Sequence, residues 1–306
     1  MSNRLRWDTD LAGWPHAQAS TRVSAAGLRW HVQVFPHAAA QAPCVLLLHG
    51  TGASTHSWRD LIPLLAPHAT VLALDLAGHG FSDMPEGGTA SPVFSLPGMA
   101  RCLGELLSVL QLTPTLVVGH SAGAAIALRM CLDGLVTPRH VVSVNGALLP
   151  LEGLAGQLFS PLAKVLTRAP WVPELFAWRA GTQRVLDRLM DGTGSRLDAT
   201  GRELYRRLIS NPGHAAGALG LMANWDLRGL WQDLPRLRTA VQFVVGSNDL
   251  IVPPDVAWRA LARLRSGPAL PVAMLDGLGH LAHEERPDLL LPVLLALLGT
   301  EPPPDF

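Results

Sequence analysis

Leu116-Val117-Val118-Gly119-His120-Ser121-Ala122-Gly123-Ala124-Ala125-Ile126-Ala127-Leu128 is the stretch on which the reading of this chain turns. A β-branched apolar run enters, a G-x-S-x-G turn follows, and an alanine-rich helical pattern leaves. The pentapeptide alone is weak, because roughly one chain in ten of this length carries it by chance at average glycine and serine usage. Its setting is what counts: strand, sharp turn and helix are what an exposed nucleophilic serine requires. Such a turn strains the serine backbone and lifts Oγ clear of the sheet. The crossing leaves no room for side chains two positions to either side, which accounts for Gly119 and Gly123. The competing reading of Ser121 is an ordinary helix N-cap between close-packed glycines.

Further short apolar runs, each ending in or followed by Gly, Asp, Asn or His, lie on both sides. They are Cys44–Leu48, Val71–Asp75, Val141–Asn145, Val241–Gly246 and Val272–Asp276. Continuous β-rich runs are what strands buried on both faces look like. Helical patterns sit between most of them, over 58–65, 99–110, 121–132 and 256–264. This alternation predicts a mostly parallel sheet. Residues 21–35 alternate around Gly27 and predict a hairpin that opens it. The alternation stops at Asn145 and resumes near Thr239. Between them lie helix-like stretches at 158–166, 174–178, 182–190, 201–208 and 215–223, read as an inserted helical cap.

A serine hydroxyl needs a base, and the base needs an orienting acid. Asp249, in Gly246-Ser247-Asn248-Asp249, follows one strand; His280, in Gly277-Leu278-Gly279-His280, follows the last. Both fall at the carboxyl edge of the sheet, where α/β sites form, and the order Ser121, Asp249, His280 is that of an α/β-hydrolase fold. That fold is therefore predicted: residues 1–147 as the first part of the core, 148–235 as the cap, and 236–306 as the second part. Bland readings exist for Asp249 as a loop cap and for His280 as a surface histidine; three correctly ordered coincidences outweigh them. The oxyanion hole is expected after Val45–Leu48, in His49-Gly50-Thr51-Gly52, with the main-chain N–H groups of Thr51 and Ala122 as donors. One such donor is worth about 3 kcal/mol in a transition state. His49, His79 and His120 read as structural.

Two decoys resemble other chemistry. Gly50-Thr51-Gly52-Ala53-Ser54-Thr55, with Asp75 downstream, approaches a dinucleotide fingerprint but has Thr55 where the last glycine belongs. His280-Leu281-Ala282-His283-Glu284-Glu285 looks metal-like and matches neither zinc-protease order. No cofactor and no metal are expected.

The chain has 306 residues, 48% of them hydrophobic, 16% charged, with formal net charge zero and a mean hydropathy of +0.24. Zero net charge removes the electrostatic basis for general nucleic-acid binding. The lysine is Lys164, outside any Gly-Lys-Ser/Thr, which excludes a phosphate-binding Walker loop. Cys44, Cys102 and Cys131 lie far apart in apolar stretches and read as buried reduced thiols of a cytoplasmic protein. The N-terminus lacks the apolar core of a signal peptide. The late run 289–298, interrupted by Pro292, is too short for a transmembrane segment and reads as a C-terminal helix. The tail 301–306 reads as frayed.

Beyond the fold, the sequence resembles the magnesium-chelatase accessory proteins of bacteriochlorophyll biosynthesis, the BchO family. The resemblance runs through Trp14-Pro15-His16, Gly27–Gln33, His49–Arg59, Gly119–Met130, Asn145–Pro150, Asn211-Pro212-Gly213-His214, Met222–Leu227 and His280–Pro287. The Trp-Pro-His and the cap motifs are its specific part. It implies a role near magnesium insertion into a porphyrin, with chelatase subunits as partners; the apolar composition would also allow a cytoplasmic protein to attach peripherally to a membrane. The residues add a cap rich in large apolar groups: Leu158, Phe159, Leu162, Trp171, Leu175, Phe176, Trp178, Met222 and Trp225. Of these, Phe159, Trp178, Met222 and Trp225 are the candidate contacts to an apolar small molecule such as a tetrapyrrole, against the plainer reading that most of the nine only pack the cap. Arg196, Arg202, Arg206 and Arg207 could pair with its propionates or form a solvated helix face.

Three functions compete: a serine hydrolase of an ester-like bond on a tetrapyrrole, a chelatase-assisting binder with an idle triad, and an esterase or C–C bond hydrolase of small apolar molecules.

Overall fold

The computed structural model describes residues 4–149, 171–180, 182–268 and 270–299. Eight strands among them form one sheet: β1 (Ser20–Ala25), β2 (Leu28–Phe35), β3 (Cys44–Leu48), β4 (Thr70–Leu74), β5 (Leu116–His120), β6 (His140–Val144), β7 (Ala240–Gly246) and β8 (Ala273–Leu275). Their order is β1-β2-β4-β3-β5-β6-β7-β8. β1 and β2 are the expected hairpin, turning at Ala26-Gly27, and β2 meets β4 antiparallel; the other pairs are parallel.

Side chains alternate across the strands, so the apolar runs divide between two cores. Leu46, Leu48, Leu72, Leu74, Val117, Val241 and Phe243 join one, with helices Leu96–Leu110 and Ala122–Leu132 laid over them. Val45, Leu47, Val71, Ala73, Val118, Val142 and Val244 join the other, closed by helices Ile62–Leu65 and Pro287–Leu298. Burial on both faces explains why these strands read as unbroken hydrophobic runs.

One local expectation changes, and the late run is a helix as expected. The helix expected over 58–65 is a 3-10 turn, Thr55–Trp58, followed by the short helix Ile62–Leu65. Ser54 caps the turn through His56 N–H, so the chain enters three residues early and tightly wound. Pro292 does not interrupt the last helix, which runs continuously from Pro287 to Leu298. Leu290, Leu294 and Leu295 are buried, and that packing offsets the hydrogen bond a proline forfeits. Among the described residues, no helix is long and apolar enough to cross a membrane.

Between β6 and β7 the described helices are Trp171–Ala180, Gln183–Asp191, Ala199–Ile209, Pro212–Asn224 and Arg228–Asp233. The expected helix at 158–166, with Leu158, Phe159, Leu162 and Lys164, lies outside the described residues, as does the tail 301–306.

Candidate active site

Ser121 sits between β5 and helix Ala122–Leu132 with φ 52° and ψ −114°. That conformation is costly for a residue with a side chain and holds only where its surroundings over-determine it. They do so here. Ser121 N–H donates to Val144 O at 3.0 Å, and Ser121 O accepts from Ala124 and Ala147 at 3.2 and 3.1 Å. A Cβ on Gly123 would lie 2.1 Å from Leu48 O, and one on Gly119 would lie 2.5 Å from Ala124 N. Both glycines are required by close approach, as the turn predicted.

Asp249 and His280 meet. His280 Nδ1 lies 2.8 Å from Asp249 Oδ2, with the carboxylate side chain fully buried. Asp249 Oδ1 accepts the N–H groups of Ile251 and Val252, each at 2.8 Å. Both carboxylate oxygens are therefore fixed. The His280 main chain is gripped as well: its N–H donates to Thr193 O at 2.9 Å. Its carbonyl accepts from His120 Nε2 at 2.8 Å and Asn145 Nδ2 at 2.9 Å. His120 thus ties Ser121, its chain neighbour, to His280, and the two imidazoles lie 4.7 Å apart. Burial, helped by His283 and His280, holds His120 well below the ordinary histidine range, so it serves as a neutral donor. Among the described residues, Ser121 Oγ makes no hydrogen bond to His280. Such bonds are often long until a substrate is seated.

Thr51 and Ala122 each follow one of two residues that touch, Gly50 and Ser121. Gly50 packs on the Ser121 turn, where an added Cβ would lie 3.0 Å from Ser121 Cβ. Among the described residues, neither Thr51 N–H nor Ala122 N–H donates a hydrogen bond. Two free N–H groups beside a serine can stabilise an oxyanion. His49, fully buried, shapes the loop as expected: Nδ1 donates to Gly50 O at 2.8 Å and Nε2 accepts from Leu76 N–H at 2.9 Å.

The decoys resolve into separate partners. Asp75 is buried against His31 at 2.6 Å and accepts from Thr55 and Phe81 N–H, so its carboxylate faces inward. In the metal-like run, His280 faces Asp249, and His283 Nε2 meets Ser57 Oγ at 2.7 Å. Glu284 takes the Tyr205 hydroxyl at 2.7 Å, and Glu285 takes Gly279 N–H.

The apolar candidates separate. Met222 and Trp225 are half-buried, and Trp225 packs on the main core. Trp178 is not enclosed: it is 72% exposed and shares an outer helix face with Trp171 and Leu175. Phe159 lies outside the described residues. Three of the four arginines in the run have partners of their own. Arg202 pairs with Asp187 and Arg206 with Glu203, while Arg207 donates to Gly13 O and Asp10 O. Cys44 and Cys102 are buried thiols, but Cys131 is only half-buried.

Four site residues escaped the sequence reading. Asn145, at φ 46°, binds Gly246 N–H and the carbonyls of Gly279 and His280. Tyr205 and Glu284 join the inserted helices to the core, and His214 does so at the Gly52 loop. Asn-Pro-Gly-His was a readable helix start, with Asn211 capping His214 N–H, but its target on the core was not.

The fold and this site define a class: the alpha/beta hydrolase family profile matches residues 45–293, and the chain belongs to that family. Within it, the chain is 39% identical over 284 residues to the magnesium-chelatase 30 kDa subunit of Rhodobacter capsulatus, covering 93% of this chain and 96% of that one. Solved structures share the fold. An alpha/beta hydrolase fold protein from Burkholderia ambifaria superposes with a TM-score of 0.73 at 23% identity, covering 91% of this chain and 97% of that one. The enol-lactonase from Burkholderia xenovorans superposes with a TM-score of 0.69 at 18% identity, covering 91% and 100%.

Proposed function

We propose that this protein is a serine hydrolase that cleaves an ester-like bond of a large apolar ligand, a tetrapyrrole, near the magnesium-chelation step of bacteriochlorophyll biosynthesis. The observation that carries the chemistry is Ser121 in its strained turn, linked through its neighbour His120 to the main chain of His280, which pairs with Asp249. The similarity to a magnesium-chelatase subunit carries the setting, with chelatase subunits as partners. The helices from 148 to 235 act as the cap over the site. The reading includes a cytoplasmic location with peripheral membrane contact, which the exposed Trp171, Leu175 and Trp178 support.

In this account His280 Nε2 takes the Ser121 proton as Oγ attacks the carbonyl carbon. Asp249 holds the tautomer with the proton on Nδ1 and stabilises the imidazolium that forms. The Thr51 and Ala122 N–H groups bind the oxyanion. Its collapse expels the alcohol, which receives the proton from His280. Water, deprotonated by His280, then releases the acid and restores Ser121.

The test is turnover of tetrapyrrole methyl esters and aryl esters by wild type and Ser121→Ala. Loss of the nucleophile should cost about a million-fold in rate; equal turnover by both proteins sinks the reading. A second reading, a tetrapyrrole binder with an idle triad, is favoured by the similarity to a protein named as a chelatase subunit. It expects porphyrin binding that Ser121→Ala leaves unchanged, and pigment synthesis in cells carrying that variant.

A further inference from the structure

Thr51 N–H belongs to the peptide whose carbonyl is Gly50 O, and His49 of the core holds that carbonyl. Ala53 N–H also reaches Gly50 O, closing a tight turn whose third residue, Gly52, has φ +78°. One carbonyl of the turn is held from outside the core. His214 Nε2 lies 3.0 Å from Gly52 O, and His214 Nδ1 lies 3.0 Å from Gly80 N. Because Gly80 N–H can only donate, Nδ1 is bare and Nε2 carries the proton. Burial keeps the ring neutral, with its pKa lowered to about 4.

The helix that carries His214 is fixed. Asn211 caps its first turn through His214 N–H at 3.0 Å. Gly217 crosses Gly78 so closely that a Cβ would lie 2.0 Å from Gly78 O. Asn224 Nδ2 donates to Thr89 O at 2.8 Å. The turn bearing Thr51 is thus gripped from the core by His49 and from helix Pro212–Asn224 by His214.

We propose that His214 is a positioning residue for the oxyanion hole: its Nε2–H, delivered by the inserted helix, fixes Gly52 O and thereby the aim of the Thr51 N–H. This rests on the hydrolase reading of Ser121. Oxyanion stabilisation then depends on the seating of helix 212–224, so the inserted region contributes to catalysis as well as covering the site.

The test compares wild type with His214→Ala, His214→Asn and His214→Gln. A glutamine amide reaches the Nε2 position and can donate to Gly52 O. An asparagine amide reaches only the Nδ1 position and can serve Gly80. Two readouts are taken: the saturating rate at which a fluorophosphonate modifies Ser121, and amide hydrogen exchange across 49–58 and 212–224. The proposal expects Ala and Asn to slow modification about 10- to 100-fold with an unchanged half-saturating probe concentration. Exchange in 49–58 should quicken while 212–224 stays protected, and Gln should restore both. Modification at the wild-type rate in the Ala variant overturns the proposal, as does rescue by Asn equal to that by Gln. A wild type that is never modified defeats the hydrolase reading instead; the exchange comparison then decides alone, and equal exchange in 49–58 across all four proteins overturns the positioning role.

Discussion

His280 Nδ1 and Asp249 Oδ2 lie 2.8 Å apart, and the second oxygen of the same carboxylate is pinned by the N–H groups of Ile251 and Val252. The acid cannot turn away from the imidazole without breaking two main-chain bonds. Asp249→Asn keeps the shape but presents an amide that favours the wrong tautomer. The expected loss in Ser121 reactivity is on the order of 10³- to 10⁴-fold with little change in structure, measured as esterase rate beside circular dichroism. A tenfold loss or less would show that Asp249 does not orient the base.

Asp75 and His31 form a second buried acid–imidazole pair, with no exposed surface on either side chain. Its work is structural: Asp75 joins the chain at Thr55, Phe81 and His31. Asp75→Ala leaves two N–H groups and His31 Nδ1 unpaired, and should cost about 3–5 kcal/mol in urea unfolding. The His31 imidazole holds the Asp75 carboxyl well below the usual carboxylate range, against the opposing effect of burial. A depressed carboxyl stabilises fully above its unfolded pKa and loses that contribution as pH falls. Acid should therefore destabilise wild type below about pH 4, and Asp75→Asn should flatten that fall.

Glu284 behaves oppositely. Burial pushes its carboxyl up to about 8, while Tyr205 and Arg59 pull it down. The folded state then holds a proton that the unfolded chain releases near its ordinary carboxyl pKa. Stability should fall as pH rises from about 4.5 towards 8 and level off above. Glu284→Gln keeps a neutral group against the Tyr205 hydroxyl and should abolish this slope, leaving the variant more stable than wild type at pH 8 by an amount on the order of 1–3 kcal/mol. Thermal melts between pH 5 and 9 test it; parallel curves for the two proteins would contradict it.

Gly123→Ala would set a Cβ 2.1 Å from Leu48 O, a backbone atom of a central strand. Neither side can give without moving β3 or the helix after Ser121. A loss of about 3 kcal/mol or more is expected in denaturant unfolding. Trp178→Ser, at a 72% exposed position, should stay within about 0.5 kcal/mol of wild type by the same measurement.

Much of this was legible in the chain. Six strands announced themselves as apolar runs and were placed to within a residue at most ends; five of them are buried on both faces, which leaves no polar alternation to confuse them, while the edge strand β8 is partly exposed. Ser121, Asp249 and His280 were singled out because each follows a strand end marked by Gly or Asn, and the structure pairs the last two. The 3-10 turn at 55–58 was missed because its start depends on Ser54 capping, four residues before the apolar pattern begins. Asn145, Tyr205, Glu284 and His214 were missed for another reason. Each acts across long sequence separations, and no local spacing encodes a bond such as Tyr205 to Glu284 or His214 to Gly52. The sequence offered Trp178 as a ligand contact, but aromatic composition says nothing of which helix face meets solvent, and Trp178 is exposed.

The most direct measurement is the intact mass of the protein after exposure to a fluorophosphonate probe, with Ser121→Ala beside it. The account predicts a single adduct on wild type, mapping to Ser121, and none on the variant. A well-folded wild type that stays unmodified, or an equal adduct on both proteins, would contradict it.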